Sequence, residues 1–178
     1  MEEAMIRSLR IAAVFACLAS PLAAQSRPSL FSNAPRPTRE IGAVFIGMAS
    51  CCESLTESLR EPIDSVRHVL QRRALREGAD FRMIGVSLDW RPEDGWNYLK
   101  RFGEFDEIGL GSNWFSTLPE VLMFTDGKVE PVVPQLVIYE RTVDFGGTRP
   151  KFGPRTIVSR LEGRPAIMAW LQGDGRSN

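Results

Sequence analysis

Cysteine is scarce in this 178-residue chain, with three in all. One of them, Cys17, falls in the N-terminal apolar segment. The other two, Cys51 and Cys52, are adjacent, close no useful loop, and so exclude a framework of structural disulfides in the monomer. Histidine is scarcer still: His68 is the only one. Excess charge is missing too, since 22 basic and 22 acidic residues give a formal net charge of zero. That leaves no compositional case for nucleic-acid binding or for an acidic or basic tail. No internal repeat is visible. The apolar stretch from Ile11 to about Ala19 is short for a membrane-spanning helix.

What is present at the N-terminus is a leader pattern. "MIRSLRIAAVFACLASPLAAQS" has Arg7 and Arg10, then the apolar stretch, then the small-residue end "LAAQ". It reads as a secretory signal peptide over residues 1–24, with Met5 as an alternative start and cleavage near Ala24. The expected location is periplasmic or secreted. Contact with a membrane is expected only if the segment stays uncleaved. A lipid anchor on Cys17 fits poorly, because bulky Phe15 stands close to it. Residues 25–39, rich in Pro, Ser and Arg, read as a linker or N-terminal arm. The folded domain is expected over 40–173 and a short tail over 174–178.

Within the domain, "IGAVFIGM" (41–48) is a continuous apolar run that suits a strand covered on both faces. From Glu53 to Glu77 the apolar residues step by three or four, which marks an amphipathic helix. Pro62 should kink it or begin its second segment, and Gly78 should end it. "FRMIGVSLDW" (81–90) reads as a second strand. Pro92, Glu93 and Asp94 open a second helix, with Trp96, Leu99 and Phe102 as its apolar residues. "DEIGLGSNW" reads as a short strand or loop, "STLPEVLMF" as a short helix and "TDGK" as a turn. "PQLVIYERTV" (134–143) and "RTIVSRLEG" read as two successive strands around the loop "GGTRPKFGP". "RPAIMAWLQ" reads as a final helix. The order β-α-β-α-insert-β-β-α points to a parallel unit closed by a hairpin.

On these pieces the chain resembles the thioredoxin-like superfamily, most of all its extracytoplasmic thiol–disulfide proteins of the TlpA/ResA and peroxiredoxin-like kind. Four stretches carry the likeness: "AVFIGMASCC", "MIGVSLD", "VVPQLVIYE" and "IVSRLEGRPAIMAWL". The resemblance covers about residues 40–172. It implies an α/β fold with a central mixed sheet of about four to five strands flanked by helices. It also implies that the Val133–Pro134 bond is cis, and that these two residues shape a substrate groove beside the cysteines. The site departs from the Trp-Cys-x-x-Cys pattern. Ala49-Ser50-Cys51-Cys52-Glu53-Ser54 lacks the tryptophan, and Ser54 takes the fourth position when Cys51 is the first.

A thiol at a helix start is favoured as thiolate by unpaired N–H groups and the macrodipole. Glu53 beside it works the other way. Three uses follow for Cys51 and Cys52: a mixed disulfide with a small thiol or a disulfide-bearing protein, peroxide oxidation with the neighbour as resolver, or a labile bond between the two. No cofactor is expected. A soft-metal site at the two thiols with Met48 is the weaker alternative, because His68 reads as an exposed or capping helix residue. The competing view of the whole domain is a non-catalytic module that binds a partner or supports an envelope complex, with both cysteines as small buried residues. Trp96 and Trp170 are expected in the core. Asp89 and Asp126 read as turn or strand-end residues without partners.

Overall fold

The computed structural model describes residues 38–111, 114, 132–146 and 149–173. The expected leader with Cys17, most of the linker, the "STLPEVLMF" helix, the turn with Asp126 and the tail lie outside these residues.

The first strand, β1, spans Arg39–Gly47 and is buried from Glu40 onward. A single turn, α1 (Ala49–Cys52), and a 3-10 turn (Glu53–Leu55) lead into α2, Thr56–Glu77. Gly78 ends α2 at φ 63°, a left-handed position that glycine adopts without a Cβ clash, and the Ala79 N–H closes on the Ala74 carbonyl at 2.9 Å. After it come β2 (Asp80–Ser87), α3 (Pro92–Leu99), a 3-10 turn (Lys100–Phe102) and β3 (Glu107–Gly109). The C-terminal part holds β4 (Gln135–Asp144), β5 (Lys151–Phe152), β6 (Thr156–Glu162) and α4 (Gly163–Gly173).

Among the described residues the sheet is mixed and six-stranded. β1 is flanked by β2 in parallel and β4 antiparallel; β3 pairs outside β2, and both β5 and β6 pair with β4. The expected four to five strands become six because Lys151–Phe152, read as loop, hydrogen-bonds to the far end of β4. The β4–β6 ladder shifts register between Ile138 and Tyr139, which leaves Val158 as the extra, exposed residue of a bulge.

Strand alternation sorts the core into two layers. Ile41, Ala43 and Phe45 of β1 face Leu59, Ile63, Val66 and Leu70 of α2, Tyr98 and Leu99 of α3, and Ile167 of α4. Val44 and Ile46 face the other way, with Ile84, Val86, Leu88, Val137 and Tyr139.

Three sequence expectations change. Pro62 neither kinks nor restarts the helix: α2 runs through it, and the interruption falls earlier, at Glu53–Leu55. Proline has no N–H to offer the Ser58 carbonyl, and Arg164 Nε of α4 donates to that carbonyl instead, at 3.1 Å. Trp96 is 49% exposed rather than in the core. The inward face of α3 is taken by Gly95, Tyr98 and Leu99, and Trp96 lies off it. Leu75, counted on the apolar stripe, is exposed as well.

Candidate functional site

Three strand ends meet where β1 gives way to the cysteine turn. Gly47 is in register with Ser87 of β2, and Ile46 with Gln135 of β4. Val133 and Pro134, immediately before Gln135, therefore stand at the same end of the sheet as Met48 and Ala49. The Val133–Pro134 peptide is cis. Pro134 is buried, its carbonyl accepts from the Gly163 N–H at 2.8 Å, and Val133 packs half-buried against both core layers.

The cysteine turn is fastened at both ends. The Cys52 N–H donates to the Met48 carbonyl at 3.0 Å, and the Ala49 N–H donates to Asp89 Oδ2 at 2.9 Å. Asp89 is only 6% exposed. It also accepts the Ser87 hydroxyl at 2.7 Å, and its own N–H donates back to Ser87 Oγ at 3.1 Å. Asp89, just beyond the end of β2, is thus a cap supplied from a distant segment to the first N–H of the turn, a role that Met48 at the local N-cap position has no side-chain oxygen to fill. The expectation that Asp89 lacks partners is corrected. Its trace in the sequence is an acid ending the otherwise apolar run "MIGVSLD".

The two thiols are free and unequal. Cys51 is exposed and Cys52 is 1% exposed, with Sγ atoms 2.8 Å apart. Burial pushes the Cys52 thiol up to about 12, helped by its hydrogen bond to Cys51 and by the charges of Cys51 and Asp89. Cys52 therefore keeps its proton near neutral pH; the two sulfurs share a hydrogen bond, and the Cys51 thiol also reaches the Met48 carbonyl at 3.7 Å. Ser54 is exposed on the 3-10 turn, and among the described residues no hydrogen bond joins it to either thiol. The α1 helix stops after four residues, so the long continuous helix behind the macrodipole argument is interrupted directly after Cys52. The side chain of Glu53 is outside the description.

A cleft of about 350 Å³ lies beside the turn, lined by Ala49 and by Asp94, Asn97, Tyr98, Lys100 and Arg101. Tyr98 closes its inner wall: the ring is buried against Phe45 and Phe102 and lies where a Cβ on Gly47 would stand. His68 is exposed on α2 with Asp64 at 3.3 Å. It stands sixteen residues beyond Cys52, roughly 24 Å along a helix, so the structure does not bring it to the thiols.

The opposite end of the sheet holds a buried charge cluster. Glu40, 1% exposed, accepts the Tyr139 hydroxyl at 2.8 Å and an Arg141 Nη2 hydrogen bond at 3.0 Å. Arg141 in turn stacks on Phe152, 4.2 Å from its ring centre. These contacts join β1, β4 and β5 and lie seven residues along β1 from Gly47, about 23 Å from the cysteine end.

No protein-family model matches the sequence, and no curated protein matches it. Among solved structures, a thiol-disulfide oxidoreductase from Bacteroides fragilis is similar over 79% of this chain and 85% of its own, at 14% identity and a TM-score of 0.42. A thiol:disulfide interchange protein from Bacteroides sp. is similar over 79% and 77%, at 16% identity and a TM-score of 0.42. With the sheet order β3-β2-β1-β4, both β5 and β6 paired to β4, and helices between β1, β2 and β3, the architecture of this chain is thioredoxin-like.

Proposed function

We propose that the chain carries out thiol–disulfide exchange, with Cys51 as the attacking thiol and Cys52 as the resolving one. The observation that supports this most directly is the pairing of an exposed sulfur with a buried, protonated one at 2.8 Å. The Cys51 thiolate attacks one sulfur of a substrate disulfide. A Cys51–substrate disulfide forms, the substrate S–S bond breaks, and the other substrate sulfur leaves as thiolate. Cys52 then attacks Cys51 Sγ and gives its proton to the departing substrate sulfur. The products are a Cys51–Cys52 disulfide and two substrate thiols. That bond closes a small strained ring, so it is readily reduced again by an external thiol. Val133 and the cis Pro134 form the wall against which the substrate chain lies. Ser54 has no chemical step here. The setting is periplasmic or secreted, where disulfides persist, on the strength of the leader-like segment ending near Ala24.

The test is iodoacetamide labelling between pH 5 and 9, read by mass spectrometry, alongside disulfide exchange by Cys51→Ser and Cys52→Ser. Fast labelling of Cys51 alone, loss of exchange in Cys51→Ser, and a trapped mixed disulfide in Cys52→Ser support the proposal. Slow labelling of both thiols and unchanged behaviour of both variants would instead mark a non-catalytic binding module.

A further inference from the structure

We propose that the cysteine turn is a redox-driven latch: closing the Cys51–Cys52 bond opens α1 and frees the buried Asp89 carboxylate from the Ala49 N–H. This rests on the exchange reading above and adds the regulation of the same site. The bond closes a small ring, and the Cys51–Cys52 peptide is part of that ring. Disulfide-linked Cα atoms usually stand about 4.4–6.8 Å apart, whereas neighbouring Cα atoms stand about 3.8 Å apart across a trans peptide. Two adjacent cysteines therefore bond only by turning the peptide between them out of its helical setting. That peptide carries the Cys52 N–H, which donates to the Met48 carbonyl at 3.0 Å. The same carbonyl receives the Cys51 thiol at 3.7 Å, and oxidation removes that proton outright. The Met48 carbonyl thus loses both donors in one step.

No longer helix props the turn. α1 has four residues, and the 3-10 turn Glu53–Leu55 separates it from α2. The helix α2 is itself fixed by Leu59, Ile63, Val66 and Leu70 in the core, so the opening is confined between Met48 and Thr56. At the other end Asp89, 6% exposed, gives up the Ala49 N–H and keeps the Ser87 hydroxyl at 2.7 Å. Stripping a donor from a buried carboxylate is costly. The Asp89 cap therefore favours the dithiol and opposes the disulfide. Ala49 also lines the cleft against α3, so the oxidised chain offers its reductant a different surface from the one its substrate met.

The probe is diamide, which takes up two electrons and the two thiol protons as the S–S bond forms and becomes the hydrazine. It needs no exchange step, so the latch is judged apart from the exchange reading. Mass spectrometry confirms the intramolecular bond, and NMR follows amide hydrogen exchange in the reduced and oxidised wild-type chain. Oxidation should cut the protection of the Ala49 and Cys52 amides by about tenfold and leave Val66 and Leu70 unchanged. Cys51→Ser treated in the same way should show no change. The second measurement is the dithiol–disulfide equilibrium against a glutathione buffer at pH 6, where the thiols are protonated. Asp89→Ala should shift it toward the disulfide by about tenfold, because the cap no longer favours the dithiol. A bond that forms while both amides keep their protection, or an equilibrium that Asp89→Ala does not move, overturns the latch. So does a chain in which diamide forms no bond between the two sulfurs. Failure of the exchange reading shows separately, as the absence of a trapped mixed disulfide in Cys52→Ser.

Discussion

The raised Cys52 thiol makes stability fall in alkali, and the amount follows from the burial described above. Below pH 9 the folded and unfolded chains both hold the proton. From 9.0, the ordinary value, up to about 12, only the unfolded chain releases it. Over that window the unfolded state binds fewer protons, so stability drops as pH rises, by about 1.4 kcal/mol per unit. Between pH 8 and pH 10 the wild-type chain should lose on the order of 1 kcal/mol through this one group. Cys52→Ala removes the group. It costs about 1 kcal/mol for the small cavity, and that cost is the same at every pH. The measurement is urea unfolding by circular dichroism at pH 7, 8, 9 and 10 under a reductant that keeps both thiols free. Alkaline titrations away from the cysteine turn, including Tyr139, which burial also pushes up to about 12, are common to both chains and cancel in the difference. Wild type should converge on Cys52→Ala as pH rises. Two parallel curves would show that Cys52 ionises as easily folded as unfolded, and the asymmetry assigned to the thiol pair would be wrong.

Asp89→Ala should cost about 3 kcal/mol in urea unfolding, since two hydrogen bonds to a buried carboxylate are lost; a cost under about 1 kcal/mol would remove its role as the cap of the cysteine turn. Gly47→Ala places a Cβ 2.6 Å from the Tyr98 ring, which Phe45 and Phe102 hold in place, so the expected loss is about 1–3 kcal/mol from overpacking, read as a lower thermal midpoint. Glu40→Ala should cost about 3–5 kcal/mol because it strands the buried Arg141, while leaving the labelling rate of Cys51 unchanged at the other end of the sheet.

The core elements were legible because each has its own period or punctuation. The run Ile41–Gly47 has no polar interruption, and α2 repeats Leu59, Ile63, Val66 and Leu70 at helical steps before Gly78. The position of the cysteine turn followed from that order. What stayed hidden depends on contacts between distant segments. Asp89 looks like a strand-end acid until β2 is laid beside β1 and the Ala49 N–H arrives at 2.9 Å. Pro62 looks like a helix breaker until Arg164, more than a hundred residues later, meets the Ser58 carbonyl. Trp96 fits a helical stripe by spacing, yet Gly95 and Tyr98 define the buried face. Lys151–Phe152 carries no strand signal of its own and is ordered by pairing with Val143 and Asp144.

Adjacent positions in a helical turn point about 100° apart, and that angle gives the doubled cysteine a direction. One sulfur looks outward and the other inward, and the backbone fixes which is which. Exchanging them would mean rotating the turn against the Ala49–Asp89 and Cys52–Met48 bonds. In the proposed exchange an incoming disulfide therefore has a single landing point, and the second sulfur meets only what the first has already captured. Regioselectivity in this chain is a property of helix pitch.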